Sequence, residues 1–260
     1  MKAITALALL LFSQLTFAAP KSELWPMWNT SNEKNVTTIS HQPWQDVLNT
    51  YLLKQGENTL FQYASVTRDD KLKLKDYLYT LTQYDPRAFN KAEQYAYWVN
   101  LYNALTVNLI LDNYPIKSIT KLGGFFSFGP WGDRITKVAG QDLTLNDIEH
   151  RILRPIWQDP RTHYAVNCAS LGCPNLQPEA FTSANTPILL EQAATEFINS
   201  NKGALSQSNS VQLSSIYDWF SDDFGSQADL FKHLQQYKPE LTLDNKKIKF
   251  DYNWDLNDAK

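Results

Sequence analysis

The sequence predicts an α+β fold, in which one mostly helical domain carries a small antiparallel sheet packed on a buried central helix. Three observations support this class. Residues 90–113 are apolar nearly all round a helix, which is typical of a helix at the centre of a domain. Other segments repeat apolar residues at helical spacing, and several short segments alternate like strands. No repeat or linker divides the chain into two domains.

The helices are predicted from apolar periodicity and from residues that begin or end helices. Apolar residues at i, i+3, i+4 and i+7 indicate a helix that begins near Pro43. Thr144 is expected to cap a helix with Asp147 at its third position, and Pro155 is expected to end that helix. The other predicted helices cover residues 69–83, 90–113, 187–200 and 226–237.

The strands are predicted from alternation of apolar and polar residues. One of them, Thr162–Cys168, constrains the chemistry of the chain. In a regular strand His163 and Asn167 face one side and Cys168 faces the other. We therefore expect His163 and Cys168 to lie apart unless the strand bends. The other predicted strands lie within residues 58–67, 134–139, 211–216 and 246–254.

Residues 1–18 have the order of regions expected of a secretory signal peptide. A lysine precedes an apolar run at residues 3–12, and small residues follow it. The run is shorter than the roughly 20 residues that cross a bilayer. We therefore expect cleavage after Ala18 and an exported, periplasmic or extracellular protein whose mature chain has no membrane span. Residues 19–42 are polar without a sustained period and are predicted to form an N-terminal arm or a loosely packed entry segment.

Composition limits the class of partner. The chain has 24 lysines and arginines against 27 acidic residues, with no basic block or arginine-rich stripe. A nucleic-acid partner is therefore not expected. Aromatic residues make up 13% of the chain, which indicates either a core of large rings or a groove that stacks on sugars or peptides. Trp131 and Trp219 are candidate binding residues of such a groove.

The predicted central helix carries polar residues on one face. Glu93, Asn100 and Asn103 share that face at about 100° per residue. Buried amides and carboxylates need hydrogen-bond partners. The face therefore either clamps another segment of backbone or lines a pocket, and the second interpretation makes Glu93 and Asn100 candidate binding residues.

The only two cysteines, Cys168 and Cys173, are five positions apart. In an exported protein the pair predicts a disulfide, which would pin a local turn and contribute only about 2 kcal/mol. A redox-active dithiol is less favoured because the spacing is Cys-x4-Cys. A zinc site is weaker still, since the two cysteines and His163 supply only three ligands. No metal or cofactor is predicted.

A nucleophilic cysteine is the main alternative to the disulfide. Pro174 fits the first position of a helix, and the positive end of that helix would favour the Cys173 thiolate. His163 would then act as the base, with Asn167 or Asn103 orienting it or stabilising an oxyanion. A permanent disulfide excludes this mechanism, so the state of the thiols separates the two interpretations.

Other charged residues are expected to be structural. Asp218, Asp222 and Asp223 fit a solvated helix start favoured by the helix dipole, with acid–base chemistry or a hard cation as the alternative. Glu149 and Arg154, near Asp159 and Arg161, are expected in a structural ion-pair network, with a substrate clamp as the alternative. The histidines at positions 150 and 233 are expected on helix exteriors, and no role is assigned to them.

Long, ordered motifs of this chain resemble a known family. They are Trp98-Val99-Asn100-Leu101-Tyr102-Asn103-Ala104, Leu145-Asn146-Asp147-Ile148-Glu149, and Asp159-Pro160-Arg161-Thr162-His163-Tyr164-Ala165 running to Cys173-Pro174. They resemble the domain-of-unknown-function family numbered 547, over residues 43–257. The resemblance implies one domain of this extent and implies no activity.

Two functions are compatible with these features. The favoured one is an exported binding or structural module with a Cys168–Cys173 stapled turn and an aromatic groove. Its ligand would be a small molecule, a glycan or a peptide of the cell envelope. The alternative is a cysteine-dependent hydrolase or acyl transferase that acts on peptide or cell-envelope substrates.

Overall fold

The computed structural model describes residues 20–124, 128–242 and 246–259. The predicted signal peptide, residues 1–18, lies outside the described residues. None of the helices in the described part of the chain has the length and apolar character needed to span a bilayer.

The described residues form nine α-helices, one π-helix and seven short strands. The longer helices are α1 (Gln42–Tyr51), α2 (Arg68–Thr82), α3 (Lys91–Asn113), α6 (Thr186–Asn199) and α9 (Gln227–Tyr237). The π-helix Asp147–Leu153 leads directly into α4 (Arg154–Trp157), and the other short helices are α5 (Thr162–Ala165), α7 (Ile216–Trp219) and α8 (Ser221–Phe224). The strands are β1 (Leu52–Gln55), β2 (Asn58–Phe61), β3 (Thr136–Val138), β4 (Gln141–Leu143), β5 (Ala204–Ser206), β6 (Ser210–Ser214) and β7 (Lys247–Asp251).

Helix α3 lies at the centre of the main core, as its sequence predicts. Asn90 precedes its first residue and caps it, because the Asn90 side chain accepts a hydrogen bond from the Glu93 backbone amide at 2.9 Å. Most of its side chains are buried, and they pack with residues of α1, α2, the π-helix and the segment after α5. The predicted α+β class with mostly helical content is therefore confirmed.

The strands form three small sheets. The pairs β1–β2 and β3–β4 are antiparallel, and β5–β6–β7 form the third sheet. In this third sheet β6 is the middle strand. β5 pairs with one edge of β6 in the antiparallel sense, and β7, which follows α9 along the chain, pairs with the other edge in the parallel sense. Val211 and Leu213 of β6 pack with Phe197 of α6 in a second, smaller core.

The predicted N-terminal arm is packed against the main core and is not loose. Trp28 is 1% exposed, and its ring makes an edge-to-face contact with Trp98 at 5.1 Å between centroids. The backbone amides of Glu23 and Trp25 donate to the carbonyls of His150 and Arg151. Burial of large rings and pairing of backbone groups outweigh the polar composition of this segment.

The helix after Thr144 differs from its prediction in two respects. The predicted cap is present, because Thr144 Oγ1 accepts a hydrogen bond from the Asp147 amide and Asp147 Oδ2 accepts one from the Thr144 amide, both at 3.0 Å. The helix is however a π-helix over most of its length, and Pro155 does not end it. The chain stays helical to Trp157, and the Arg151 carbonyl, four positions before the proline, accepts a hydrogen bond from the Trp25 amide in place of the missing N–H.

The prediction of a strand at Thr162–Cys168 is wrong. Asp159 Oδ1 accepts a bond from the Arg161 amide, and its carbonyl accepts one from the Thr162 amide, so the chain enters helix α5. Alternation of polar and apolar residues predicts a strand with one exposed face, but all the residues from Thr162 to Asn167 are buried here, so the pattern does not indicate a strand. The facing rule that separated His163 from Cys168 therefore does not apply.

Candidate functional site

A groove with a volume of about 1000 Å³ lies between the π-helix, the cysteine turn and the segment after β7. Helix α3 forms its floor through Tyr102, and α7 closes one side. Its lining includes Tyr102, Phe128, Trp131, Glu149, His150, His163, Cys168, Cys173, Asp218, Trp219, Phe220, Asp222, Tyr252 and Trp254. The predicted candidates Trp131, Trp219, His163 and both cysteines thus meet in one concave site.

One side of the groove is an aromatic wall, formed by Phe128, Trp131, Trp219, Tyr252 and Trp254. Trp219 stacks on Trp254 at 5.6 Å between ring centroids, and Trp131 packs edge-on to Trp254 at the same distance. Tyr252 contacts both Trp219 and Trp254. The rings support one another while remaining partly exposed, so the wall presents rigid apolar faces to the groove.

The groove also borders an ionic cluster, formed by Glu149, His150, Arg154, His163 and Asp223, of which Glu149 and the two histidines line the groove. Asp223 Oδ2 accepts bonds from Arg154 Nε at 2.5 Å and from His163 Nε2 at 2.7 Å. The Arg154 Nη1 atom donates to His150 Nδ1 at 2.9 Å. The Glu149 Oε1 atom lies 3.9 Å from Nδ1 of each histidine. The cluster holds both imidazole rings in fixed orientations at the edge of the groove.

Burial and neighbouring charges set the protonation of this cluster. Burial raises the pKa of Asp223, but the hydrogen bonds from His163 and Arg154 outweigh burial and bring that pKa down to about 2. Burial lowers the pKa of His150 to about 4, with Arg154 acting in the same direction and Glu149 opposing. At neutral pH Asp223 is therefore charged, and His150 is a neutral ring whose Nδ1 accepts a hydrogen bond from Arg154.

The cysteines form a disulfide in the wall of the groove, as the sequence predicts. Tyr252 places its hydroxyl 3.1 Å from Cys168 Sγ and 3.0 Å from Cys173 Sγ. Ser170 Oγ donates to that hydroxyl at 3.2 Å. Within the turn between the two cysteines, Ala169 adopts a φ of 58°, a left-handed conformation that is uncommon for alanine. The turn is therefore held in one shape by the disulfide and by its contact with Tyr252.

The cysteine turn is fixed to the segment after β7 by backbone hydrogen bonds. The amides of Leu171 and Gly172 donate to the carbonyls of Asp255 and Asn253, each at 2.8 Å. Glycine at position 172 permits this approach, because a Cβ there would lie 2.8 Å from the Asn253 nitrogen. The same contacts bring Tyr252 and Trp254 to the disulfide.

Gly172→Ala is expected to lower the free energy of unfolding by about 1–3 kcal/mol, because the added methyl group forces two backbone segments apart. Urea denaturation measures the change. The matched control is Gly132→Ala, since a Cβ at Gly132 meets no atom within 4 Å. Equal losses in the two variants would contradict the close contact.

Two predicted catalytic residues serve to hold the cysteine turn. The Asn103 side chain donates to the Ala165 carbonyl and accepts from the Asn167 amide, both at 2.9 Å. The Asn167 side chain donates to the Pro174 carbonyl at 2.7 Å and accepts from the Ala169 amide at 2.8 Å. Both side chains are thus bonded to backbone, and their catalytic role stays a prediction.

Two predicted binding residues lie away from the groove. The Asn100 side chain donates to the Phe181 carbonyl at 2.7 Å and accepts from the Phe181 amide at 3.0 Å. Glu93 Oε1 accepts from the Ile39 amide at 2.7 Å and so anchors the N-terminal arm. The polar face of α3 clamps backbone at these positions, and the structure does not bring these two residues to the aromatic wall.

Sequence reasoning missed much of the ionic cluster. His150 was expected on a helix exterior but is 4% exposed, and Asp223 was expected at a solvated helix start but bonds to Arg154. The i,i+4 spacing of His150 and Arg154 was the available signal. Among the described side chains, no group of three histidine, cysteine or acidic residues is placed to hold a metal ion.

Comparison with known families bears on the same region. Residues 86–198 match the sequence model of a family described as protein of unknown function, DUF547. The match supports the resemblance to the DUF547 family that the sequence motifs indicate. Neither the curated proteins nor the solved structures contain a significant match. The DUF547 match includes α3, the π-helix and the cysteine turn, whereas Trp219, Asp223, Tyr252 and Trp254 lie beyond it.

Proposed function

We propose that this chain is an exported binding protein whose groove receives a glycan or a peptide of the cell envelope. The aromatic wall is the observation that carries the proposal. Its five rings contact one another and line a single concave surface. Binding sites for organic ligands are concave and largely apolar, with a few placed polar groups.

The polar groups of the groove suit a ligand that carries hydroxyl or amino groups. Glu149, Asp218 and Asp222 line the groove and offer carboxylate oxygens as acceptors. A cationic amine would also be attracted to the faces of Trp131 and Trp219. Sugars and peptides both combine apolar faces with such donors, so either fits a surface of rings and carboxylates.

The arrangement around the cysteines favours binding over hydrolysis. Both sulfurs are joined to each other, which leaves no thiolate to attack a substrate in this state. The two nitrogens of His163 face Asp223 and Glu149. Among the described hydrogen bonds, none joins His163 to a cysteine sulfur, as the cysteine-hydrolase alternative would require of its base.

Trp219→Ala is expected to weaken ligand binding by about tenfold, because a stacked ring contributes about 1.5 kcal/mol beyond its buried area. Isothermal titration calorimetry measures the affinity of the protein for oligomers of N-acetylated amino sugars and for short peptides in separate titrations.

The matched control for this change is Trp157→Ala. Trp157 is also partly buried but packs on Tyr95, away from the groove. An equal loss in both variants, or no binding of either ligand class by the unaltered protein at millimolar concentration, would contradict the proposed function. A preference for one class identifies the ligand.

A further inference from the structure

The disulfide has an accessible sulfur and a shielded sulfur. Cys168 is partly exposed and Cys173 is 3% exposed, and both line the groove. A disulfide buried within a core is out of reach of other thiols. This disulfide faces a cavity large enough to admit the thiol of a peptide or of glutathione. A thiol that enters the groove therefore reaches Cys168 first.

The shielded sulfur is surrounded by hydrogen-bond donors. The Cys168 backbone amide donates to Cys173 Sγ at 2.9 Å. The Tyr252 hydroxyl lies 3.0 Å from the same sulfur, and it must donate because a disulfide sulfur carries no hydrogen. Since Ser170 donates to the Tyr252 oxygen, the Tyr252 proton stays available for sulfur. A thiolate at Cys173 would receive two donors that are already in place.

We propose that the Cys168–Cys173 pair is a redox-active disulfide that exchanges with thiols entering the groove. A thiolate attacks Cys168 Sγ, the bond between the two protein sulfurs breaks, and Cys173 leaves as a thiolate that carries the electron pair. A second thiolate then attacks the sulfur of the entering group. This step releases a new disulfide and leaves Cys168 reduced, so two thiols are oxidised while the protein disulfide is reduced.

The direction of attack follows from leaving-group stability. Exchange is faster when the departing sulfur forms a stable thiolate. The Cys173 thiolate has the Cys168 amide and the Tyr252 hydroxyl as donors, whereas Cys168 Sγ has only a share of that hydroxyl, because Ser170 donates its proton to the Tyr252 oxygen. The activity goes beyond the proposed binding function, and it would persist even if the groove bound no glycan.

The Tyr252→Phe variant tests the donor. The oxidised protein is equilibrated with buffers of reduced and oxidised glutathione, quenched with acid and alkylated, and the two states are counted by intact mass. Loss of the hydroxyl is expected to lower the equilibrium constant for reduction about tenfold, because a hydrogen bond to a charged group is lost. The matched control is Tyr97→Phe, which removes a buried hydroxyl that donates to the Leu81 carbonyl far from sulfur. Equal effects of the two variants would overturn the proposal.

The site of attack is tested on the unaltered chain. Glutathione is added for a short time, free thiols are trapped with iodoacetamide, and the peptide that holds the turn is mapped. We expect glutathione on Cys168 and the trapping group on Cys173. Glutathione on Cys173, or a disulfide that resists millimolar glutathione until the protein unfolds, would overturn the assignment.

Discussion

Asp223→Ala is expected to lower the free energy of unfolding by about 3–5 kcal/mol, one of the largest effects of any single substitution in this chain. The Arg154 side chain is 3% exposed, and its guanidinium donates to Asp223 at 2.5 Å. Without the carboxylate a buried positive charge remains, and its desolvation is no longer offset. His163 loses the acceptor of its Nε2–H at the same time.

Urea denaturation of three variants separates this effect from a general disturbance of α8. Asp222→Ala is the control, because Asp222 is an exposed neighbour on the same helix. Joint replacement of Arg154 by Met and Asp223 by Leu is expected to recover much of the loss, since a buried ion pair can be exchanged for apolar residues. A loss below 1 kcal/mol in Asp223→Ala would show that Arg154 finds another partner.

The ionic cluster also explains why the fold was easier to predict than the site. Helix α3 was predictable because one continuous segment carries both its apolar surface and its cap at Asn90. Asp223 lies 69 positions from Arg154 and 60 from His163, and no local pattern joins residues so far apart. Such pairs are specified by the tertiary placement of α8 beside α4 and α5, which carry Arg154 and His163.

The strand predicted at Thr162–Cys168 failed for a related physical reason. Alternation indicates a strand only where one face is exposed, and both sides of this segment are buried. Asp159-Pro160 carried a competing helix-start signal, because an aspartate followed by proline fits a cap and a first helical position. By contrast, the cysteine pair was correctly predicted to be a disulfide because closing that turn requires only six consecutive residues.

Acidification from pH 6.5 to pH 4 is expected to destabilise the protein through two buried histidines. Burial lowers the pKa of His41 to about 4. Burial is also the main cause that lowers the pKa of His150 to about 4. Both values lie below the ordinary value of 6.5. Between these pH values the unfolded chain therefore binds protons that the folded chain does not, and stability falls as pH falls.

Each histidine should contribute on the order of 3 kcal/mol of this loss, and the loss should level off below pH 4 as both states become protonated. The free energy of unfolding in urea, measured at intervals from pH 7.5 to pH 4, gives the slope. Asp223 adds little over this range, because its folded pKa is about 2 and its contribution is lost mainly below pH 4.

The His41→Gln variant isolates one of the two histidines, because glutamine does not titrate. Its stability should fall by about half as much on acidification as that of the unaltered protein. Tyr77→Phe is the matched control, since it removes the hydroxyl 2.6 Å from His41 Nδ1 but leaves the imidazole buried and able to titrate. This variant should be less stable at every pH and keep the full slope. A reduced slope in Tyr77→Phe, with an unchanged slope in His41→Gln, would assign the acid sensitivity to another group.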